Sequence, residues 1–199
     1  MTGRKLQASE RSFPCVTFDK PGPQNTERTL ETAAKRADEL GIRHIVVATT
    51  SGKTGLLAAQ VFKGKNLVVV THSAGFLKPD FQELKPALHR KIESLGAKVL
   101  TCQHAFGGVG RAVRKKLATY ELEEIIAYTL RTFGQGTKVA IEISLMAADA
   151  GLIPTQELCI AIGGTNWGAD TALLLRPANA QTFFDLRVVE VLAKPRLSD

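Results

Sequence analysis

The sequence predicts an α/β fold: three layers, helices on both faces of a mostly parallel sheet, with extra antiparallel strands near the C-terminus. Two observations carry this. Short apolar runs of buried-strand type, His44 to Ala48 and Leu67 to Thr71, are separated by stretches with helical spacing, and consecutive strand-helix-strand units build parallel sheets. Near the C-terminus the runs Thr171 to Leu175 and Phe183 to Leu192 are joined only by a Pro-Ala-Asn turn, too short for a crossover helix.

Taken in order, Ser12 to Phe18 alternates around Phe13, Cys15, Val16 and Phe18 and reads as a first strand, followed by the loop from Asp19 to Gln24. Asn25 or Thr26 caps a helix in which Leu30, Ala33, Ala34, Ala37 and Leu40 recur at helical spacing up to Gly41. After the strand His44 to Ala48, a helix runs from Gly55 to Phe62, and a Lys-Gly-Lys-Asn turn leads to the strand Leu67 to Thr71. Pro79 to Leu95 reads as a longer helix kinked at Pro86, and Lys98 to Cys102 as the next strand. Gln103 to Ala118 has no clean period, so its glycine cluster reads as a loop before a basic stretch. Glu121 to Phe133 is a helix, Lys138 to Ile143 a strand, Leu145 to Ala150 a short helix, and Glu157 to Ile162 a strand.

At 199 residues the chain has the length of one domain, taken as 1–199, with no repeat or linker to divide it. Hydrophobic residues make up 44% and charged residues 23%, the composition of a soluble globular protein. No apolar run approaches the roughly 20 residues that span a bilayer, and the polar start from Met1 to Ser12 lacks a signal core. A cytoplasmic location without membrane contact is expected. Cys15, Cys102 and Cys159 are odd in number, far apart and flanked by apolar residues, the pattern of buried free thiols. The net charge of +7 favours anionic partners. The run Arg111, Arg114, Lys115 and Lys116 lacks aromatic partners for stacking bases, which argues against nucleic acid; composition leaves a homo-oligomer open.

The stretch Thr49-Thr50-Ser51-Gly52-Lys53-Thr54 lies between a strand and a helix. Free N–H groups at a helix N-terminus, the positive end of its dipole, hydroxyls and a lysine together suit a phosphate group. A nucleotide-binding P-loop would need a glycine at position 47, where Val47 stands. A plain phosphate cup needs no such glycine, and a simple helix-capping turn uses the same residues.

Other candidates follow strands and so belong to the sheet edge where ligands bind in open α/β folds. These are Thr71-His72-Ser73, His104 to Arg111, Glu142 to Ser144 and Gly163 to Asp170. His72 and His104 suit proton transfer or a pocket wall, with hydrogen-bonded loop packing as the bland reading. Arg111 suits a clamp on phosphate or carboxylate and equally a solvated helix start, and Glu142 is the edge carboxylate, whereas Asp149 caps or pairs locally. In the turn Gly163-Gly164-Thr165-Asn166-Trp167-Gly168-Ala169-Asp170, glycines permit close backbone approach, Thr165 and Asp170 offer polar contacts, and Trp167 either stacks on a flat ring or packs. No histidine or carboxylate spacing supports a metal.

The run Ile45 to Leu57, with the helix before it and the strand after it, resembles the C-terminal domain of pyruvate kinase, in which such a loop holds a sugar phosphate of the allosteric effector. The resemblance implies that role for Thr49, Ser51, Gly52, Lys53 and Thr54. Nothing corresponds to the catalytic barrel, so no pyruvate kinase activity is expected. The whole chain is similar to the stand-alone pyruvate kinase alpha/beta domain proteins of archaea and bacteria, through Pro21 to Thr26, Thr49 to Thr54, Thr71 to Phe76 and Gly168 to Ala172. Flavin mononucleotide (FMN) accompanies some of that group. The resemblance therefore implies FMN as the ligand, with its phosphate in the cup and its ring along Thr71 to Ser73, His104 to Arg111 and Gly163 to Asp170. A regulatory module for a sugar phosphate is the alternative.

Overall fold

The computed structural model describes residues 12–197. Seven strands form one sheet in the order β1-β7-β6-β5-β2-β3-β4, comprising β1 (Val16–Phe18), β2 (His44–Ala48), β3 (Asn66–Val70), β4 (Lys98–Leu100), β5 (Cys159–Gly163), β6 (Thr171–Arg176) and β7 (Arg187–Pro195). The helices are α1 (Thr26–Leu40), α2 (Lys53–Val61), α3 (Pro86–Ser94), α4 (Gly108–Leu117), α5 (Leu122–Arg131) and α6 (Gln135–Asp149). All neighbouring strands run parallel except at β6, which is antiparallel to both β5 and β7.

Alternation along the strands divides the core in two. Ile45, Val47, Val69, Ile160, Ile162 and Leu174 pack with Leu30 and Ala33 of α1, Ala58 of α2 and Ile92 of α3. Val46, Val68, Ala161, Leu173 and Leu175 face the other way, onto Ala127 of α5 and the apolar side of α6. Each buried Val, Leu or Ile side chain contributes on the order of 1.5–3 kcal/mol by leaving water. The three-layer αβα architecture is the one expected from the sequence.

Several boundaries differ, and each has a physical cause. Residues 79–85 are not helical: Pro86 stands in the first turn of α3, and Lys85 before it is extended (φ −65°, ψ 128°), as a residue preceding proline prefers. The glycines 108 and 110 lie in the first turn of α4 rather than in a loop. The largest difference is α6. The region read as strand 138–143 followed by helix 145–150 is one helix, so Glu142, Ile143 and Ser144 lie mid-helix and not at a strand end. Because α6 is buried on nearly every side, it lacks the amphipathic period that marks a surface helix. Its alternating Val139, Ile141 and Ile143 mimic a strand instead. Phe183 falls in a 3-10 turn (Ala180–Asp185), so the last strand starts later, at Arg187. Of the cysteines, Cys159 is buried and Cys102 half-buried, but Cys15 is exposed, since β1 is a three-residue edge strand and Cys15 precedes it.

The packing of α6 on β5 is unusually close. A Cβ on Gly163 would overlap the carbonyl oxygen of Gly136, and one on Gly136 would overlap the Thr171 hydroxyl. Gly163→Ala is therefore expected to lower the melting temperature sharply in a thermal denaturation scan, through backbone displacement rather than lost contacts.

Candidate functional site

From β2 the chain proceeds through β3 to β4 on one side, while β5 lies on the other. The carboxyl ends of β2 and β5 thus form a topological switch point, the place where open α/β sheets bind ligands. A cleft of about 1060 Å³ opens there, with walls from Thr49, Thr50, Ser51, Lys53 and Thr54 after β2, Thr71 and His72 after β3, Gly164 and Asn166 to Gly168 after β5, and α6.

Gly52 caps α2 with φ +98°, a conformation that favours glycine, and its hydrogen lies where a Cβ would come within 2.6 Å of Leu84 Cδ1. The turn this creates aims the start of α2 into the cleft. The Gly55 N–H donates to Thr49 Oγ1 at 3.2 Å and the Leu56 N–H to the Gly52 carbonyl at 2.9 Å. The Lys53 and Thr54 N–H groups, at the first two helical positions, have no preceding-turn carbonyl to bond. Thr49, Thr50, Ser51, Lys53 and Thr54 all line the cleft.

The opposite wall is held by a knot of hydrogen bonds across the chain. Asp170, fully buried, accepts from the Gly22 N–H at 3.1 Å, the Thr165 N–H at 3.1 Å and the Thr171 hydroxyl at 2.8 Å. The Ala169 N–H donates to Thr26 Oγ1 at 3.0 Å. Asp170 and Thr165 therefore shape the turn without lining the cleft, and Gly163 serves helix packing; Gly164, Asn166, Gly168 and the exposed Trp167 form the wall itself. Gly52 and Ser73 also lie behind the lining residues.

A third wall is aromatic. Phe76 stacks on His72 at 4.1 Å and on His104 at 5.0 Å between ring centroids, and the Arg111 guanidinium sits 4.7 Å from its ring centre. His72 Nδ1 lies 2.6 Å from Glu83 Oε2. That bond places the His72 proton on Nδ1 when the ring is neutral and leaves Nε2 as an acceptor. Gln82 ties the same loop down, donating to the His72 carbonyl at 2.9 Å.

Behind His104 lies a buried polar cluster. Glu142, 3% exposed, pairs through Oε2 with Lys138 Nζ, also 3% exposed, and accepts the Phe106 N–H on Oε1 at 3.0 Å. His104 Nε2 accepts from the Ser73 N–H at 3.3 Å, and Nδ1 stands 3.8 Å from Glu142 Oε2 with no hydrogen-bond partner. Burial, outweighing the attraction of Glu142, pushes the His104 pKa down to about 4, so the ring is neutral at pH 7 and the approach to Glu142 is not an ion pair. Between about pH 4 and 6.5 the unfolded chain binds the proton that the folded chain refuses. Stability then rises with pH across this window, by up to about 3 kcal/mol. Urea unfolding at steps from pH 7 to 4 is expected to show this fall on acidification, and His104→Gln to flatten it.

Among the cleft-lining residues, Lys53, Lys85, Arg111, Arg131 and Lys138 face only two carboxylates, Glu27 and Glu142. Sequence motifs single out Lys53, Arg111 and Glu142 as site residues, but not Glu83, Lys85, Arg131 or Lys138, and Phe76 enters only as the end of the Thr71 to Phe76 run. A Lys and a Glu four apart is a helix-face signal, and it was hidden because that segment reads as a strand. Outside the cleft, Arg114 of the basic run is tied to Glu124 at 2.8 and 3.1 Å, and Asp149 accepts from Asn179 Nδ2 and the Ala180 N–H, each at 3.0 Å. Among the described residues no cluster of three or more His, Cys, Asp or Glu could hold a metal, and no helix is long and apolar enough to cross a membrane.

The family model described as pyruvate kinase, alpha/beta domain, matches residues 27–175. Among solved structures, a pyruvate kinase from Cryptosporidium parvum is similar at 16% identity and a TM-score of 0.41, over 76% of this chain and 22% of that one. A Cryptosporidium parvum pyruvate kinase in complex with ADP is similar at 16% identity and a TM-score of 0.42, over 76% of this chain and 23% of that one. This chain spans less than a quarter of the length of either enzyme.

Proposed function

This chain belongs to the pyruvate kinase alpha/beta domain family, and from that premise we propose that its cleft binds a phosphorylated small molecule, FMN first among the ligands to test. The observation that carries the reading is the convergence, at the start of α2, of free Lys53 and Thr54 N–H groups with the cleft-lining residues Thr49, Thr50, Ser51 and Lys53. A phosphate there meets backbone donors, hydroxyls and a cation at once.

The residues present also suit a flavin ring. Phe76 and Trp167, both partly exposed at the cleft, offer flat surfaces, and Arg111 beside Phe76 offers a planar cation. When bound, the flavin would supply the redox chemistry; the chain binds and orients it. His72, with Nδ1 held by Glu83, stands on the cleft wall.

The purified protein is expected to carry or take up FMN, read as a yellow absorbance band and by titration. No retained flavin and no binding at millimolar FMN would refute the flavin part. Lys53→Ala is expected to weaken the affinity about tenfold, equivalent to about 1.4 kcal/mol, with the unfolding midpoint unchanged because Lys53 is exposed.

A second reading, a binding module for a sugar phosphate, is favoured by the polar side chains Arg131, Gln135, Lys138 and Glu142, which line the cleft beside the apolar Val139, Ile143 and Met146. A thermal-shift comparison of FMN with sugar phosphates separates the two, since a ligand that binds only the folded state raises its melting temperature.

A further inference from the structure

The cleft contains one group that neither phosphate binding nor flavin stacking requires. α6 is buried along nearly its whole length, yet it places Lys138 and Glu142 one turn apart on the side that meets the cleft. Two apolar side chains of similar volume would fill that space without the cost of desolvating two charges. Lys138 is instead kept as an amine on the cleft lining, with one carboxylate against it and the guanidinium-bearing Arg111 and Arg131 on the same lining.

We propose that Lys138 is a reactive amine that condenses with the carbonyl group of a phosphorylated aldehyde or ketone whose phosphate occupies the Thr49–Thr54 cup. The inference rests on the phosphate-binding part of the reading above, takes its sugar-phosphate branch, and is independent of the flavin.

Lysine nucleophiles act as the free base, which burial or neighbouring cations favour. Both operate here: burial first, with Arg131 and Arg111 adding, lowers the Lys138 pKa from the ordinary lysine range, although Glu142 opposes them. The proton has a place to go. Lys138 passes it to Glu142 Oε2, the atom it already pairs with, and the nitrogen lone pair attacks the carbonyl carbon. The C–N bond forms as the C=O π pair moves to oxygen, which takes a proton from nitrogen to give a carbinolamine. Protonated Glu142 then gives its proton to that hydroxyl, the C–O bond breaks, and water leaves as the nitrogen lone pair closes the C=N bond. The sum is Lys–NH₃⁺ plus R₂C=O giving Lys–NH⁺=CR₂ plus water, with no net proton or electron change. Glu142 ends ionised beside the iminium, still accepting the Phe106 N–H.

The test uses the intact protein with D-glyceraldehyde 3-phosphate and sodium cyanoborohydride, which reduces an iminium to a stable amine, followed by peptide mass spectrometry. Lys138 is expected to be modified at least tenfold faster than the exposed Lys115 and Lys116, and at least tenfold faster than with unphosphorylated glyceraldehyde. Saturating inorganic phosphate is expected to suppress it. Modification confined to exposed lysines, Lys53 included, overturns the proposal, as does Lys138 modification indifferent to phosphate. Thermal shift with inorganic phosphate alone tells the two readings apart. A rise in melting temperature without Lys138 modification removes only the amine chemistry; no rise and no phosphate-dependent modification remove the cup as well. The double variant Lys138→Met/Glu142→Leu, which keeps the core filled, is expected to lose the rapid modification while retaining the phosphate shift.

Discussion

Lys138→Met alone is expected to lower the unfolding free energy by about 3–5 kcal/mol, the usual cost of removing one partner of a buried ion pair. The loss comes from what stays behind. Glu142 is 3% exposed and would keep only the Phe106 N–H and the distant edge of a neutral His104, too little to hold a carboxylate charge away from water. Glu142→Leu is expected to cost as much by stranding the ammonium group. The double variant Lys138→Met/Glu142→Leu removes both charges, restores apolar packing on α6, and is expected to recover most of the stability. Urea unfolding of the four proteins measures this as a double-mutant cycle. Additive losses, with the double variant as weak as the two singles summed, would show that the pair is not coupled and that each residue is held by other groups.

Asp170→Ala is expected to cost about 4 kcal/mol and to loosen the cleft at the same time. The fully buried carboxylate serves three donors, the Gly22 and Thr165 N–H groups and the Thr171 hydroxyl. Hydrogen bonds to a charged acceptor contribute roughly 1.5–3 kcal/mol each, and donors left buried and unpaired add to the loss. Asp170→Asn is expected to be milder. An amide oxygen in place of Oδ2 still serves both N–H groups, while the Thr171 hydroxyl turns to accept from the amide nitrogen. Because Gly164, Asn166, Trp167 and Gly168 form the wall that this knot supports, the alanine variant is also expected to bind phosphorylated ligands more weakly. Thermal unfolding together with ligand titration checks both effects; a stability loss under 1 kcal/mol would mean that the knot is redundant.

The sequence shows most of this architecture because the strands of the parallel core are continuous Val- and Ile-rich runs, as in Ile45 to Val47 and Leu67 to Val70, and because α1 has a clean amphipathic stripe ended by Gly41 in the left-handed conformation. The start of α2 is legible for the same reason: a hydroxyl-rich turn with Gly52 is a local feature. Legibility fails where tertiary burial erases the period. α6 is buried along nearly its whole length and its few polar residues fall on no single face, so its β-branched alternation is indistinguishable from a strand on spacing alone. Once that segment is misread, Lys138 loses its relation to Glu142, and the buried cluster disappears from view. The site roles of Phe76 and Glu83 are hidden for a different reason. They sit in an irregular segment after β3, and only the folded loop brings them against His72 and His104.

The hydrogen bonds that join Gly22 and Thr26 to residues 169 and 170 also bear on the order of events during folding. They close loops of well over a hundred residues, and β1 meets β7 across an even longer separation. Contacts of such range are entropically costly to form and tend to come late. A growing chain has the α2 turn early in synthesis, but it has no facing wall until the segment around Asp170 has emerged and docked on the N-terminal loop. Ligand capture would then report the finished molecule and not its N-terminal half. On the proposed reading, a phosphorylated ligand bridging the two walls would hold together the parts of the chain that meet last.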